Sequence, residues 1–302
     1  MLAAPMASPE FEALMKHLRP GLAVPDDPLD VVRSKMAQAH AAPVAADAQV
    51  ERVALDGLDA AWISAPGHEG STRVLLHVKG GAFVSCGVDD YRNYGFSLSK
   101  TVSARVLVFA YRLAPEHPFP CALDDAVSAY RWLLAQGVEP ARIGVTGDSC
   151  GGGIAVAMLV SLRDAGLPLP AAAACLSGWF DLEATGDAAR HPLGVDPFVD
   201  PEWIRRRGRD YVGPRGDLRH PLASPLYADL HGLPPLFLQA GQVDVTRDDA
   251  TRLAAVAARA GVAVTLDVWP EMIHGFQGLA GMLPEARRAL RRVGTFFAEH
   301  IP

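Results

Sequence analysis

From residue 50 onward, short apolar runs alternate with longer segments in which apolar residues recur at helical spacing. The apolar runs predict strands at 50–55, 60–64, 74–78, 106–110, 142–146, 171–176, 235–239 and 262–268. The periodic segments predict helices at 91–103, 123–135, 151–165, 248–260 and 284–299. This alternation predicts an α/β fold, and the uniformly apolar strands indicate a mostly parallel sheet that helices cover on both faces.

Two regions interrupt the alternation. Residues 1–49 are rich in Ala and Pro, with helix-like pieces at 9–18 and 29–42. Residues 183–223 are rich in Pro, Gly, Arg and Asp and are too long for a plain loop, so we interpret them as an insertion over the functional site. The expected organisation is an N-terminal cap segment at 1–49, a cap insertion at 183–225, and an α/β core at 50–182 and 226–302.

Composition narrows the class of protein. The 302 residues are 50% hydrophobic and carry a formal net charge of -6, which argues against a nucleic-acid partner. The Arg-rich runs at 205–207 and 287–292 are expected to be solvated helix faces. No segment approaches the roughly 18 apolar residues of a membrane span, and residues 1–6 lack the pattern of a secretory signal. We therefore expect a cytoplasmic protein without stable membrane association.

The cysteines do not indicate a metal site. None of the four is in a C-x-x-C pair, and no histidine cluster accompanies them. Free buried thiols are the expected state of Cys86, Cys121, Cys150 and Cys175.

The strongest chemical signal is the G-x-S-x-G motif at residues 147–151, placed after a predicted strand and before a predicted helix. In this context the serine lies on a sharp turn with its hydroxyl exposed, so Ser149 is the candidate nucleophile. Cys150 is a rival in principle, but the central residue of the motif lies on the turn. The Gly151–Gly153 run does not have phosphate-loop spacing.

A nucleophilic serine needs a base and an acid that orients the base, in the chain order Ser, Asp or Glu, His. His274 follows the last predicted strand after a short loop, and Asp244 follows the strand at 235–239. Both are thus expected at the carboxyl edge of the sheet, where catalytic groups gather in open α/β folds. Asp248 and Asp249 are competing candidates for this acid. They also begin the next predicted helix, where an acidic residue is explained by capping of the helix N-terminus. The competing histidines are His191, His220, His231 and His300.

A glycine-rich segment after an early strand predicts an oxyanion hole, the set of backbone amides that would bind the negatively charged oxygen of the reaction intermediate. Lys79 to Phe83 form a Gly-rich loop whose backbone amides can approach a developing oxyanion closely. The candidate donors are the amides of Gly80, Gly81, Ala82 and Cys150. The candidate pocket residues, chosen by position, are Phe83, Tyr91, Tyr94, Trp179, Phe198 and Phe276.

These motifs together resemble the bacterial hormone-sensitive lipase family (family IV) of esterases over nearly the whole chain. Residues 147–152 (GDSCGG) are similar to the family's G-D-S-A-G-G motif, and residues 111–120 (YRLAPEHPFP) to a very specific family hallmark. Asp244, in a D-x-x-x-D-D context, and His274-Gly275-Phe276 resemble its acid and histidine segments. The resemblance implies an α/β-hydrolase fold with an eight-stranded sheet and a helical cap, and hydrolysis of short- to medium-chain acyl esters without a cofactor. It also implies frequent homodimers.

Two residues depart from the family pattern. Lys79 stands where the family's H-G-G-G loop has histidine, and Cys150 replaces the usual alanine. Lys79 either points away from the site and packs with the cap, or contacts an acidic or polar part of the substrate, and we take it as a candidate substrate contact. Other readings remain open: a lactone hydrolase or amidase that uses the same three residues, a catalytically silent small-molecule receptor, or an interaction protein.

Overall fold

The computed structural model describes residues 7–18, 24–40 and 45–302, and within these ranges the chain forms one eight-stranded sheet with nine α-helices. The strands are β1 (Gln49–Leu55), β2 (Leu58–Ser64), β3 (Val74–Val78), β4 (Arg105–Phe109), β5 (Ile143–Asp148), β6 (Ala172–Leu176), β7 (Leu236–Gly241) and β8 (Val264–Trp269). The helices are α1 (Pro9–His17), α2 (Leu29–His40), α3 (Arg92–Val102), α4 (Cys121–Ala135), α5 (Cys150–Asp164), α6 (Asp187–Arg190), α7 (Pro201–Val212), α8 (Arg247–Arg259) and α9 (Pro284–His300).

The sheet has the strand order β1-β2-β4-β3-β5-β6-β7-β8. Only β1 with β2 and β2 with β4 pair antiparallel, and the remaining neighbours are parallel. The predicted eight-stranded, mostly parallel α/β fold is confirmed, and every predicted strand agrees within two residues at each end. Two predictions concern residues outside the described ranges. They are the absence of a secretory signal at residues 1–6 and the end of the predicted helix at 41–42.

The core occupies both faces of this sheet because the central strands β3, β6 and β7 are buried at every position. Leu75 of β3 packs in a cluster with α3 and α9, and the next residue, Leu76, packs on the other face in a cluster with α4 and α5. Burying a leucine contributes roughly 1.5–3 kcal/mol. The doubly covered sheet thus gives a rigid edge at which loops can place functional groups.

The two irregular regions pack against each other and against this edge. Arg33 of α2 donates from Nε to the carbonyl oxygen of Val84 at 2.8 Å. Arg207 of α7, in the insertion between β6 and β7, donates to the carbonyl oxygen of Pro25 at 3.1 Å. None of the helices in the described ranges is long and apolar enough to cross a bilayer.

One arginine of the first Arg-rich run is not solvated. Arg205 and Arg206 are exposed, but Arg207 is only 2% exposed, lies over the ring of Trp203 and pairs with Asp210 at 3.2 Å. The expectation for Arg207 is therefore wrong, because its spacing of four from Trp203 puts it on the inward face of α7. The arginines at 287–292 are exposed, as expected.

Candidate active site

Ser149 lies in a tight turn between β5 and α5. Its backbone angles, φ 52° and ψ −130°, are rare for a residue with a side chain. A Cβ on Gly147 would lie 2.3 Å from the carbonyl oxygen of Gly151, and a Cβ on Gly151 would lie 2.1 Å from that of Val78. Both glycines of the G-x-S-x-G motif are thus required by close backbone contacts.

His274 lies in the loop after β8 and reaches Ser149 at the carboxyl edge of the sheet. Its Nε2 is 2.9 Å from Ser149 Oγ, which is within the distance for proton transfer. His274 is almost completely buried, with 6% of its surface exposed.

Asp244 follows β7 and lies behind the imidazole. Its Oδ1 and Oδ2 are 3.1 and 3.2 Å from Nδ1 of His274. Thr246 donates its backbone N–H and its hydroxyl to Asp244 Oδ1, both at 2.8 Å. These bonds fix the carboxylate so that it can orient the imidazole with Nε2 toward Ser149.

The electrostatics of this pair favour a charged histidine. Burial opposes protonation of His274, but the charge of Asp244 and its hydrogen bond outweigh burial and raise the pKa of His274. Burial likewise opposes ionisation of Asp244, but His274 and Thr246 outweigh it and lower the pKa of Asp244. The arrangement can therefore stabilise the imidazolium that forms when His274 takes a proton.

The competing acids have other roles. Asp248 accepts the N–H of Ala188 at 2.6 Å, and Asp249 accepts those of Phe180 and Asp181 at 2.8 and 2.9 Å. Both therefore tie the start of α8 to the region around the insertion. Three of the competing histidines are exposed on the insertion or its exit: His191, His220 and His231. The fourth, His300, bonds to a backbone carbonyl within α9.

Cys150 is not a competing nucleophile. Its thiol is fully buried, burial raises its pKa to about 11, and its sulfur accepts the N–H of Phe83 at 3.2 Å. A protonated thiol is a poor nucleophile at neutral pH. All four cysteines are free, and Cys175 is buried like Cys150. The expectation of burial is wrong for Cys86 and Cys121, which are partly exposed.

The glycine loop after β3 presents two of its three candidate amides. Among the residues that the structure describes, no acceptor bonds the N–H of Gly81 or of Ala82. Gly80 differs, because its N–H is donated to Tyr91 Oη at 2.8 Å and to Asp148 Oδ1 at 2.9 Å. The prediction of Gly80 as an oxyanion donor is therefore wrong, because its N–H already bonds to Tyr91 and Asp148.

Lys79 does not reach the site. It is fully buried, its Nζ donates to the carbonyl oxygen of Ser85 at 3.0 Å, and its ammonium lies 3.7 Å from the ring centre of Tyr111. Burial lowers the pKa of Lys79. The hypothesis of a substrate contact is therefore wrong, because the side chain turns under the glycine loop and supports it from behind.

A cavity of about 210 Å³ opens beside Ser149 and His274. The four aromatic candidates that line it are Tyr91, Tyr94, Trp179 and Phe198. Phe83 and Phe276 do not line it: Phe83 stacks on Tyr211 of α7 at 3.9 Å, and Phe276 packs against Trp269. The prediction of Phe83 and Phe276 as pocket residues is therefore wrong, because Phe83 packs against the insertion and Phe276 packs in the core.

Within the described residues no group of three His, Cys, Asp or Glu side chains could hold a metal ion.

Sequence reasoning missed two carboxylates. Asp148 accepts the hydroxyl of Tyr91 at 2.8 Å as well as the N–H of Gly80, and His77 lies beneath it with Nε2 at 3.2 Å. Asp196, in the insertion, accepts the backbone N–H of His274 at 2.5 Å. Asp148 stands next to the nucleophile in the motif, which was a usable signal. Nothing in the sequence connects Asp196 to His274.

Comparisons with known proteins identify the family of the chain. A family profile described as alpha/beta hydrolase fold matches residues 75–278. An acetyl-hydrolase of Streptomyces hygroscopicus is 44% identical over 237 residues, covering 78% of each chain. An esterase of Acinetobacter venetianus is 31% identical over 248 residues, covering 82% of this chain and 81% of that protein.

Solved structures extend the likeness to nearly the whole chain. A crystal structure of an esterase from the bacterial hormone-sensitive lipase family superimposes with a TM-score of 0.93 at 41% identity, covering 99% of this chain and 100% of that one. EstE5, soaked with p-nitrophenyl butyrate, gives a TM-score of 0.91 at 41% identity, covering 97% and 99%. The profile match, the curated relatives and the superpositions agree, and the chain belongs to the bacterial hormone-sensitive lipase family of α/β-hydrolase fold esterases.

Proposed function

We propose that the protein hydrolyses carboxylic esters with short acyl groups through a covalent acyl-enzyme formed on Ser149. The observation that carries this function is the unbroken chain of contacts from Ser149 Oγ through His274 to Asp244, at 2.9 Å and 3.1 Å. The relatives named as esterases and the EstE5 crystal soaked with p-nitrophenyl butyrate support the same reaction class.

In the first half-reaction, Ser149 Oγ attacks the ester carbonyl as His274 Nε2 takes its proton. The imidazolium, stabilised by Asp244, then gives that proton to the leaving alkoxide oxygen. In the second half, His274 deprotonates a water that attacks the acyl carbon, and the proton returns to Ser149 as the acid leaves. Asp244 keeps its charge throughout and holds the imidazole in place.

The tetrahedral oxyanion is received by backbone amides. Gly81 and Ala82 offer N–H groups without a protein acceptor in the described structure, and Cys150, as the first residue of α5, has no helical acceptor for its N–H. One such donor is worth about 3 kcal/mol in comparable sites. We assign the oxyanion hole to these three amides.

Several buried side chains hold this loop in position. Asp148 and Tyr91 engage the amide of Gly80 from one side, and Tyr111 donates its hydroxyl to the carbonyl oxygens of Lys79 and Gly80 at 3.2 and 3.1 Å. Lys79 also supports the loop, because its Nζ donates to the carbonyl oxygen of Ser85 at 3.0 Å. Fixed donors of this kind stabilise charge without reorganising during the reaction.

The N-terminal segment and the insertion act as a cap over the site. Met36 and His40 of α2 and Trp203 of α7 line the same cavity as Ser149. Its volume of about 210 Å³ lies below the roughly 300–1,000 Å³ of sites for drug-sized ligands. A cavity of this size suits a short acyl chain better than a long one.

The decisive experiment combines a p-nitrophenyl ester series of increasing acyl length with labelling by a fluorophosphonate, which reacts with activated serine hydroxyls. We expect hydrolysis that peaks at short chains, stoichiometric labelling, and loss of both in Ser149→Ala. A lactone and an anilide in the same panel distinguish lactonase and amidase activity. If the wild-type protein neither turns over any ester nor reacts with the fluorophosphonate, it is not an esterase.

A further inference from the structure

A carboxylate of the insertion contacts the loop that carries His274. Asp196 lies in the segment between α6 and α7 and is partly buried. Its Oδ2 accepts the backbone N–H of His274 at 2.5 Å. The two residues are separated by 78 positions in sequence, so this bond exists only when the insertion is docked on the core.

The same carboxylate also organises the cavity wall. Its Oδ1 accepts the N–H of Phe198 at 2.9 Å and, more weakly, that of Val199 at 3.4 Å. Phe198 and Val199 both line the cavity beside Ser149. One side chain therefore connects the wall that surrounds the substrate with the residue that moves the proton.

Asp196 also adds charge to the catalytic group. The charged and polar groups that face His274 are Asp244 after β7, Asp196 of the insertion, Asp148 at the end of β5, Ser149 on the turn, and Thr246. Burial and the charge of Asp244 raise the pKa of Asp196 to about 6. The charge of Asp196 in turn helps to raise the pKa of His274, after the larger effects of burial, which opposes, and of Asp244.

We propose that Asp196 is a positioning residue for the esterase reaction, which makes the correct placement of His274 depend on the docked insertion. This rests on the function proposed above. Asp196 does not touch the reacting atoms and acts only through the backbone of His274 and through its charge. Substrates whose acyl group packs on Phe198 and Val199 thereby stabilise the same segment that holds the histidine.

Asp196→Asn keeps the size of the side chain but removes its charge and one of its two acceptor oxygens, so the NH2 group faces the N–H of either His274 or Phe198. The position of the pH profile then reports the charge, and its height reports the lost bond. His274 must be neutral to accept a proton, so kcat/KM falls at acid pH as the imidazole protonates. Without the charge of Asp196, protonation of His274 is less favoured, and the acid limb of the pH profile of kcat/KM is expected to move to lower pH. A purely structural role would change the height of the profile and leave its position unchanged.

Asp196→Ala also removes the anchor, so kcat is expected to fall roughly tenfold or more and fluorophosphonate labelling to slow in parallel. Asp200→Asn is the matched control: Asp200 lies in the same insertion and caps α7 through the N–H of Trp203 at 2.8 Å, but does not bond to His274. It should leave the position of the acid limb unchanged.

The inference is overturned if the wild-type protein is active and Asp196→Asn keeps the wild-type acid limb. If Asp196→Ala does not fold, the Asn variant decides the question alone. Failure of the proposed function is a separate outcome, because it would appear as an inactive, unlabelled wild-type protein.

Discussion

Gly151→Ala tests whether the close approach at the nucleophile turn is essential. The added Cβ would lie 2.1 Å from the carbonyl oxygen of Val78 and 2.5 Å from that of Lys79. Ordinary contact begins near 3.4 Å, so the turn and β3 must separate by about 1.3 Å, the difference between 3.4 and 2.1 Å. Both clashing atoms are backbone of the sheet and the glycine loop, so neither can rotate away.

The consequence for activity follows from this displacement. A misplacement of about 1 Å can cost roughly 100-fold in rate, and here it separates the Ser149 turn from the loop that carries the amides of Gly81 and Ala82. We therefore expect kcat/KM for p-nitrophenyl butyrate to fall about 100-fold or more. Overpacking costs about 1–3 kcal/mol of stability, which corresponds to a Tm lower by roughly 2–5 °C for a chain of 302 residues.

Gly70→Ala is the control, because a Cβ there meets nothing within 4 Å and its φ is not in the left-handed region. It should keep wild-type kcat/KM and Tm. Activity is measured by initial rates per mole of folded protein, and stability by thermal unfolding. The reasoning is refuted if Gly151→Ala retains the activity and Tm of the control.

Three further predictions follow from single contacts. Thr246→Val removes one of the two bonds to Asp244 Oδ1 and should lower kcat roughly tenfold with little change in KM; unchanged kcat would contradict this role. Lys79→Met should change the rates on a neutral and a carboxylate-bearing ester by the same factor, because the ammonium lies behind the loop; a selective loss on the anionic ester would restore the substrate contact. Burial raises the pKa of Asp249 to about 8, so the folded protein retains a proton that the unfolded chain releases, and stability falls as pH rises from about 4 to 8. Asp249→Asn should lose less stability than wild type between pH 5 and pH 8 in urea unfolding, and equal losses would disprove the shift.

The parts of the fold that sequence predicted well are those with strong local patterns. The apolar runs of β3 and β5 and the helical spacing in α4 and α9 each specify an element from its own residues. The order of strands and helices then places the carboxyl ends of β5 and β7 at one edge. Ser149 follows β5 directly and Asp244 follows β7 after two residues, which is why their approximate positions could be predicted.

Side-chain direction in the loops could not be predicted in the same way. Lys79 and Gly80 follow β3 in an irregular path, and whether an amide or an ammonium faces the cavity depends on Asp148, Tyr91 and Tyr111, which come from other elements. Phe83 and Trp179 are equally apolar, but only Trp179 lines the cavity. Position in the chain does not distinguish a pocket wall from a packing contact.

The three central residues also differ in how they are held. Ser149 and Asp244 closely follow strands of the rigid sheet, whereas His274 lies in a loop beyond the edge strand β8. That loop is fixed by bonds from other segments: Ser177 Oγ accepts the N–H of Gly275 at 3.1 Å, and Asp196 accepts that of His274 at 2.5 Å. Because Ser177 belongs to the core and Asp196 to the insertion, the histidine is positioned jointly by both. A change in the insertion can therefore alter catalysis while the sheet remains intact.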